Sequence, residues 1–273
     1  MTHFPILVIG EDINAQLAPY DENLLVAPYP DPDWDHDEWL ARATKYYTEF
    51  FPDKAPEDKS PQGLLAKYME GDGDLRFDED GHSTLYLTYN PKSKWDWWTI
   101  GGRWPEMLIL KDGARANQAK KSQIDFQAMR DENLRKDQAL WQKMLTATAG
   151  TTPPEESFGQ LSDRLGDRDQ AMRIWEANDW VQATRKITVF SAYETFHMHA
   201  ENPEQSYFDE ANAWPAPRVR AAVKDSQWHQ YARAGWFGVF TDEMPVPEWD
   251  ATVKRLIDEA DDNETFTIID CHI

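Results

Sequence analysis

Cysteine is nearly absent. Cys271 stands alone in 273 residues, so neither an intrachain disulfide nor a cysteine-based zinc site can form, which fits a reducing compartment. Basic residues are scarce as well: 28 Lys and Arg face 49 Asp and Glu, for a formal net charge of −21. A generic nucleic-acid binder neutralises phosphates with a basic face, so direct nucleic-acid binding is not expected. Long apolar runs are missing too. The opening MTHFPILVIGEDINAQL holds one short apolar run at 4–9 and reaches an acidic residue at Glu11, a pattern of neither a secretory signal nor a membrane span. A cytoplasmic protein without a membrane partner is the expectation. No P-loop, G-x-G-x-x-G, G-x-S-x-G, HExxH or kinase signature occurs, so no cofactor is expected and the reading leans away from an enzyme.

Aromatic residues are abundant instead. Thirteen Trp, ten Tyr and twelve Phe supply large apolar surfaces, about 150–250 Å² each, which argues for a packed core and against disorder despite the charge. The charge is uneven: residues 1–81 carry a net −13, residues 92–143 a net +4 and residues 241–273 a net −8. If strands at the two ends are neighbours, their acidic residues merge into one negative surface.

The run at 4–9 reads as a buried strand, and 265–273 as another, with Phe266, Ile268 and Asp270 alternating against Thr267, Ile269 and Cys271. Both are assigned to one sheet. Helices are predicted over 34–51, from Ser60-Pro61 to about Met69, over 120–146, over 167–185 and over 247–260, the last with Trp249, Val253, Leu256 and Ile257 on one face. Strand composition marks 84–89, 186–194, 219–223, 227–231 and 235–240, with Lys224-Asp225-Ser226 as a hairpin turn. The order predicts a single α+β domain over 1–273: an antiparallel sheet covered by helices, a ferredoxin-like or related sandwich, with a helical insertion at about 115–185.

The densest chemistry lies at 95–104, WDWWTIGGRW, with four Trp in ten residues. Arg103 offers a planar fork of donors for a carboxylate or phosphate, and Gly101-Gly102 permits close backbone approach. One reading is a binding pocket of Trp95, Trp97, Trp98, Arg103, Trp104 and Trp236. The other is a strand–turn–strand whose indoles fill the core, with Arg103 paired to a carboxylate. His197 and His199, two apart, would share a strand face and are metal candidates, although no third ligand is fixed by spacing. Gly71–His82 (GDGDLRFDEDGH) has the composition of a calcium loop without its register and reads as a solvated turn. Asp270 and His272 share a face and, with His229, form a candidate general-base group; such pairs also serve simply to satisfy buried polar atoms.

The segments KWDWWTIGGRW (94–104), GWFG (235–238) and IIDCHI (268–273), together with the opening ILVIGEDINAQLAPYDEN, resemble a family of bacteriophage and prophage proteins of uncharacterised role. The resemblance touches the start, middle and end but leaves about 115–185 without a matching motif. It implies a phage or prophage origin, and so the host cytoplasm, but no catalytic residue. Three functions follow as expectations: an accessory protein binding a small anionic or nucleotide-like ligand or a partner's side chain; an acidic nucleic-acid mimic that inhibits a host or defence protein; or a hydrolase-like enzyme using Asp270 and its histidines.

Overall fold

The structure, a computed structural model, describes residues 2–187, 202–234 and 240–273. They fall into two compact units: Leu17–Asp96, and Met1–Gln16 together with Trp97–Ile273. The strands, in chain order, are β1 (His3–Ile9), β2 (Tyr29–Pro30), β3 (Asp74–Phe77), β4 (Ser83–Leu87), β5 (Trp97–Ile100), β6 (Leu108–Ile109) and β7 (Arg115–Ala116), then β8 (Gln118–Lys120), β9 (Ala221–Lys224), β10 (Gln227–Gln230), β11 (Arg233–Ala234), β12 (Phe240–Thr241) and β13 (Thr265–His272). The class is α+β, with mostly antiparallel sheets.

The larger unit is built on a sheet of order β10-β9-β1-β13-β5, with β8 also pairing β13. The two chain ends therefore meet as antiparallel neighbours, Ile6 opposite Ile269 and His3 opposite His272. Strand β1 also pairs in parallel with β9, which turns antiparallel into β10. Asp225 and Ser226 make that turn with φ of +52° and +57°, the paired positive values of a tight primed hairpin. The first hairpin strand is thus the inner one and the second takes the edge, an order the ferredoxin-like expectation did not specify.

Both faces of the central strands are covered, which is why β1 reads as a continuous apolar run rather than an alternating one. Ile6, Leu7, Val8, Phe266, Ile268 and Ile269 are all fully buried. On the face holding Leu7, Ile9, Phe266 and Ile268 lies the helix Val246–Glu259, whose Trp249, Val253 and Leu256 enter the same core. Trp249 anchors it twice, by complete burial and by an indole N–H donated to the Val219 carbonyl at 2.9 Å.

The helix expected over 120–146 begins later, at Phe126, and runs to Ala147. Residues 118–120 are drawn into β8 by pairing with Thr265–Thr267 of β13, and Asp125 caps the helix by accepting the Ala128 N–H at 2.9 Å. The helical insertion accordingly starts near 126, because β7 and β8 occupy 115–120. The stretch 167–185 is two helices, Arg168–Ala177 and Asp179–Arg185, divided at Asn178, whose side chain accepts the Val181 N–H to start the second. With Phe126–Ala147, Phe158–Leu165 and Pro203–Ala213, these bury a second core around Trp141, Trp175 and Trp180. Most of the strands expected at 186–194 and 235–240 lies outside the described residues; Lys186 caps a helix and Phe240 begins β12.

The unit Leu17–Asp96 carries a three-stranded sheet, β2-β4-β3, packed with the helices His36–Lys45 and Pro61–Tyr68 around Ala43, Leu65, Met69 and Leu85. The expected cap at Ser60 is present, accepting the Gly63 N–H with Pro61 in the first turn, and the helix expected from 34 starts at His36, because Asp35 lies outside it and caps it by accepting the Glu38 N–H. The 34–51 prediction ends as a π turn, Tyr46–Phe50, ahead of Pro52. Within GDGDLRFDEDGH, Asp74–Phe77 is strand and Asp78 closes the turn by accepting the Asp80 and His82 N–H groups. Among the described residues no helix is long and apolar enough to cross a membrane, and no group of three or more His, Cys, Asp or Glu side chains is placed to hold a metal ion.

Candidate functional site

Pairing β1 with β13 places His3 opposite His272 and Pro5 opposite Asp270. His3 is thereby the diagonal neighbour of Asp270 on one face, within reach across the strands. His3 Nδ1 lies 2.9 Å from Asp270 Oδ1. A carboxylate only accepts, so Nδ1–H is the donor and Nε2 is left as the imidazole's second nitrogen. The other carboxylate oxygen, Oδ2, accepts the Arg103 backbone N–H at 3.0 Å. Asp270 is only 1% exposed. The turn that brings Arg103 there is shaped around this carboxylate: Gly102 has φ +51°, and a Cβ on it would fall 2.4 Å from the Asp270 Cβ. No other residue type fits that position without displacing Asp270.

His3 opens onto a cleft of about 470 Å³ lined also by Pro5, Trp104, Glu210, Trp214, Arg218 and Arg220. Arg218 is clamped on Asp137, with Nη1–Oδ1 at 2.9 Å and Nη2 on Oδ2, and Nη2 also donates to the Ala211 carbonyl at 2.7 Å. Its buried Nε has no acceptor among the described residues. Beside this pair, burial and then the Asp137 charge push the Tyr207 hydroxyl up to about 12. Arg220 is fixed by stacking, its guanidinium carbon 4.7 Å from the Trp214 ring centroid and 5.1 Å from that of Tyr231, and by its backbone N–H on the Pro5 carbonyl at 2.9 Å. Burial lowers the Arg220 guanidinium from its ordinary value, with Tyr231 and Glu243 acting against that shift. A smaller hollow of about 180 Å³ shares Trp104 and Arg218 with the cleft.

The residues singled out from sequence are dispersed. Trp95 belongs to the unit Leu17–Asp96 and donates its indole N–H to the Leu17 carbonyl at 3.1 Å. Trp97 and Trp98 are neighbours on β5, opposite His272 and Cys271 respectively. Adjacent strand residues point to opposite faces, so these two indoles do not line one pocket. Trp97 is 50% exposed and meets His3 edge-on at 6.2 Å. Trp104 is half-buried and does line the cleft. The Arg103 side chain is exposed and makes no ion pair among the described residues; its contribution to the site is its backbone N–H. Thermal melts of Arg103→Ala are therefore expected to match the parent within about 0.5 kcal/mol. A large drop would mean that the guanidinium, not the main chain, supports Asp270.

His272 packs edge-on against His3 at 4.8 Å, but the imidazole bonded to Asp270 is that of His3. His229 sits on β10, three strands from β13, about 14 Å away at the usual strand spacing, and so beyond hydrogen-bond reach of Asp270. Its pKa is lowered, first by burial and then by Arg255. Trp236, His197 and His199 lie outside the described residues. The sequence assigns no role to His3 beyond its being one of seven histidines, and singles out none of Trp214, Arg218 and Arg220. His3 was legible in principle: once the end strands are paired, its register with His272 puts it diagonal to Asp270. Comparison with protein-family models, curated proteins and solved structures finds no match to this chain, so the cleft is interpreted from its own chemistry.

Proposed function

We propose that the protein binds a small anionic ligand carrying a flat ring, such as a nucleotide, in the cleft between His3 and Arg220, as an accessory protein of phage type. The observation that carries this reading is the convergence of two immobilised guanidiniums, an imidazole and two half-exposed indoles, with Glu210 as the one carboxylate among the described lining residues, on one hollow in a chain of net charge −21. Arginine forks match phosphate oxygens, and indole faces match a base. The volume of about 470 Å³ falls in the range of small-molecule sites. The cleft proposed here shares Trp104 with the pocket expected from sequence, but its cations are Arg218 and Arg220 and Arg103 does not line it.

Calorimetric titration of the full chain with adenosine and guanosine monophosphates tests this. Binding is expected in the parent, with loss of at least about tenfold in affinity in Arg220→Gln and a smaller loss in Arg220→Lys, which keeps the charge but not the fork. No heat with either nucleotide, or equal affinity in all three proteins, would remove the reading.

A further inference from the structure

The His3–Asp270 pair does more than a binding cleft needs. A ligand held by charge and stacking requires no buried carboxylate behind an imidazole, yet Asp270 is almost wholly buried, takes one N–H from His3 and one from the Arg103 main chain, and is enclosed by a turn that only Gly102 fits. In the neutral imidazole that arrangement fixes one tautomer, with Nδ1–H committed to Asp270 and the lone pair on Nε2, and His3 lines the cleft. An imidazole with one nitrogen held by a buried carboxylate, on a residue that lines a hollow, is a candidate general base.

Resting on the anion-binding reading, we propose that the cleft hydrolyses a phosphodiester, with His3 as the catalytic base and Asp270 as its positioning residue. Water oxygen forms a bond to phosphorus as the ester P–O bond breaks. The water's proton passes to His3 Nε2 and from there to the departing alkoxide, so one water is consumed, one alcohol and one phosphomonoester are formed, and the imidazole returns to its starting state. Arg220 faces the non-bridging oxygens. A diester is favoured because it carries a single negative charge, and the cleft's own positive charge is offset: Asp137 balances Arg218, and the Glu210 carboxylate lines the same hollow.

Bis(p-nitrophenyl) phosphate hydrolysis by the full chain tests the proposal, with inorganic phosphate binding measured beside it. The parent is expected to release p-nitrophenolate, and His3→Gln to lose at least about 100-fold in kcat, far more than it loses in phosphate affinity. Asp270→Asn preserves shape: its oxygen still accepts the Arg103 N–H, while its amide faces His3 Nδ1 as a donor and so moves the imidazole proton to Nε2. A loss in kcat of about 100-fold or more at an unchanged melting temperature, together with reversed His3 nitrogen resonances in NMR, is the expected signature, and reversed resonances with undiminished kcat would overturn the positioning role. A parent that binds phosphate without turnover, or a His3→Gln variant as active as the parent, overturns the proposal and leaves the binding reading standing. Absence of both turnover and phosphate binding overturns the two together.

Discussion

Ending the chain at Ala260 is expected to abolish folding of the larger unit, not merely weaken it. The lost segment includes β13, which lies inside the sheet and pairs with β1, β5 and β8. Phe266, Ile268, Ile269 and Cys271, each 0% exposed, leave with it, and at about 1.5–3 kcal/mol for a large buried apolar side chain their sum matches the whole stability of an ordinary domain, about 5–15 kcal/mol. The ladder bonds of β1 on that side are lost in addition. Hydrogen exchange followed at the β1 amides should show protection in the full chain and none in the shortened one. Protected β1 amides in a chain ending at Ala260 would contradict the sheet order.

The second large effect separates the thirteen tryptophans by their surroundings. Trp249→Ala is expected to cost about 3–5 kcal/mol, since it empties a fully buried site between the helix Val246–Glu259 and the sheet and leaves the Val219 carbonyl without its indole donor. Trp97→Ala is expected to cost under about 1 kcal/mol, because half of that ring faces solvent on β5, at the end of the sheet. Urea unfolding of the two variants measures the difference. Similar midpoints would show that the WDWWTIGGRW run, not the helix, anchors the core.

How much was visible beforehand depends on how local the cause is. The end strands, the cap at Ser60, the 224–226 turn and the apolar face of Val246–Glu259 all follow from neighbouring residues, and each is where its pattern places it. The late start of the helix at Phe126 is not local: Gln118–Lys120 become strand only because β13 offers an open ladder 145 or more residues away in sequence. The Trp cluster misled for a related reason. Four indoles in ten residues look like one environment, yet alternation sends Trp97 and Trp98 to opposite faces, and Trp95 belongs to the other compact unit.

Sequence alone determined the α+β class, the lack of an intrachain disulfide, the acidic balance and the existence of a strand at each end of the chain, since composition and short-range periodicity decide all of these; that the two strands are direct neighbours was decided by the tertiary structure. Only the tertiary structure decided the site. His3 and Asp270 are 267 residues apart, and Arg218 meets an Asp137 that lies 81 residues earlier. Contacts of that range depend on strand register and on which helix packs where. A one-residue slip of β1 against β13 would turn His3 to the opposite face, with no change in any local pattern.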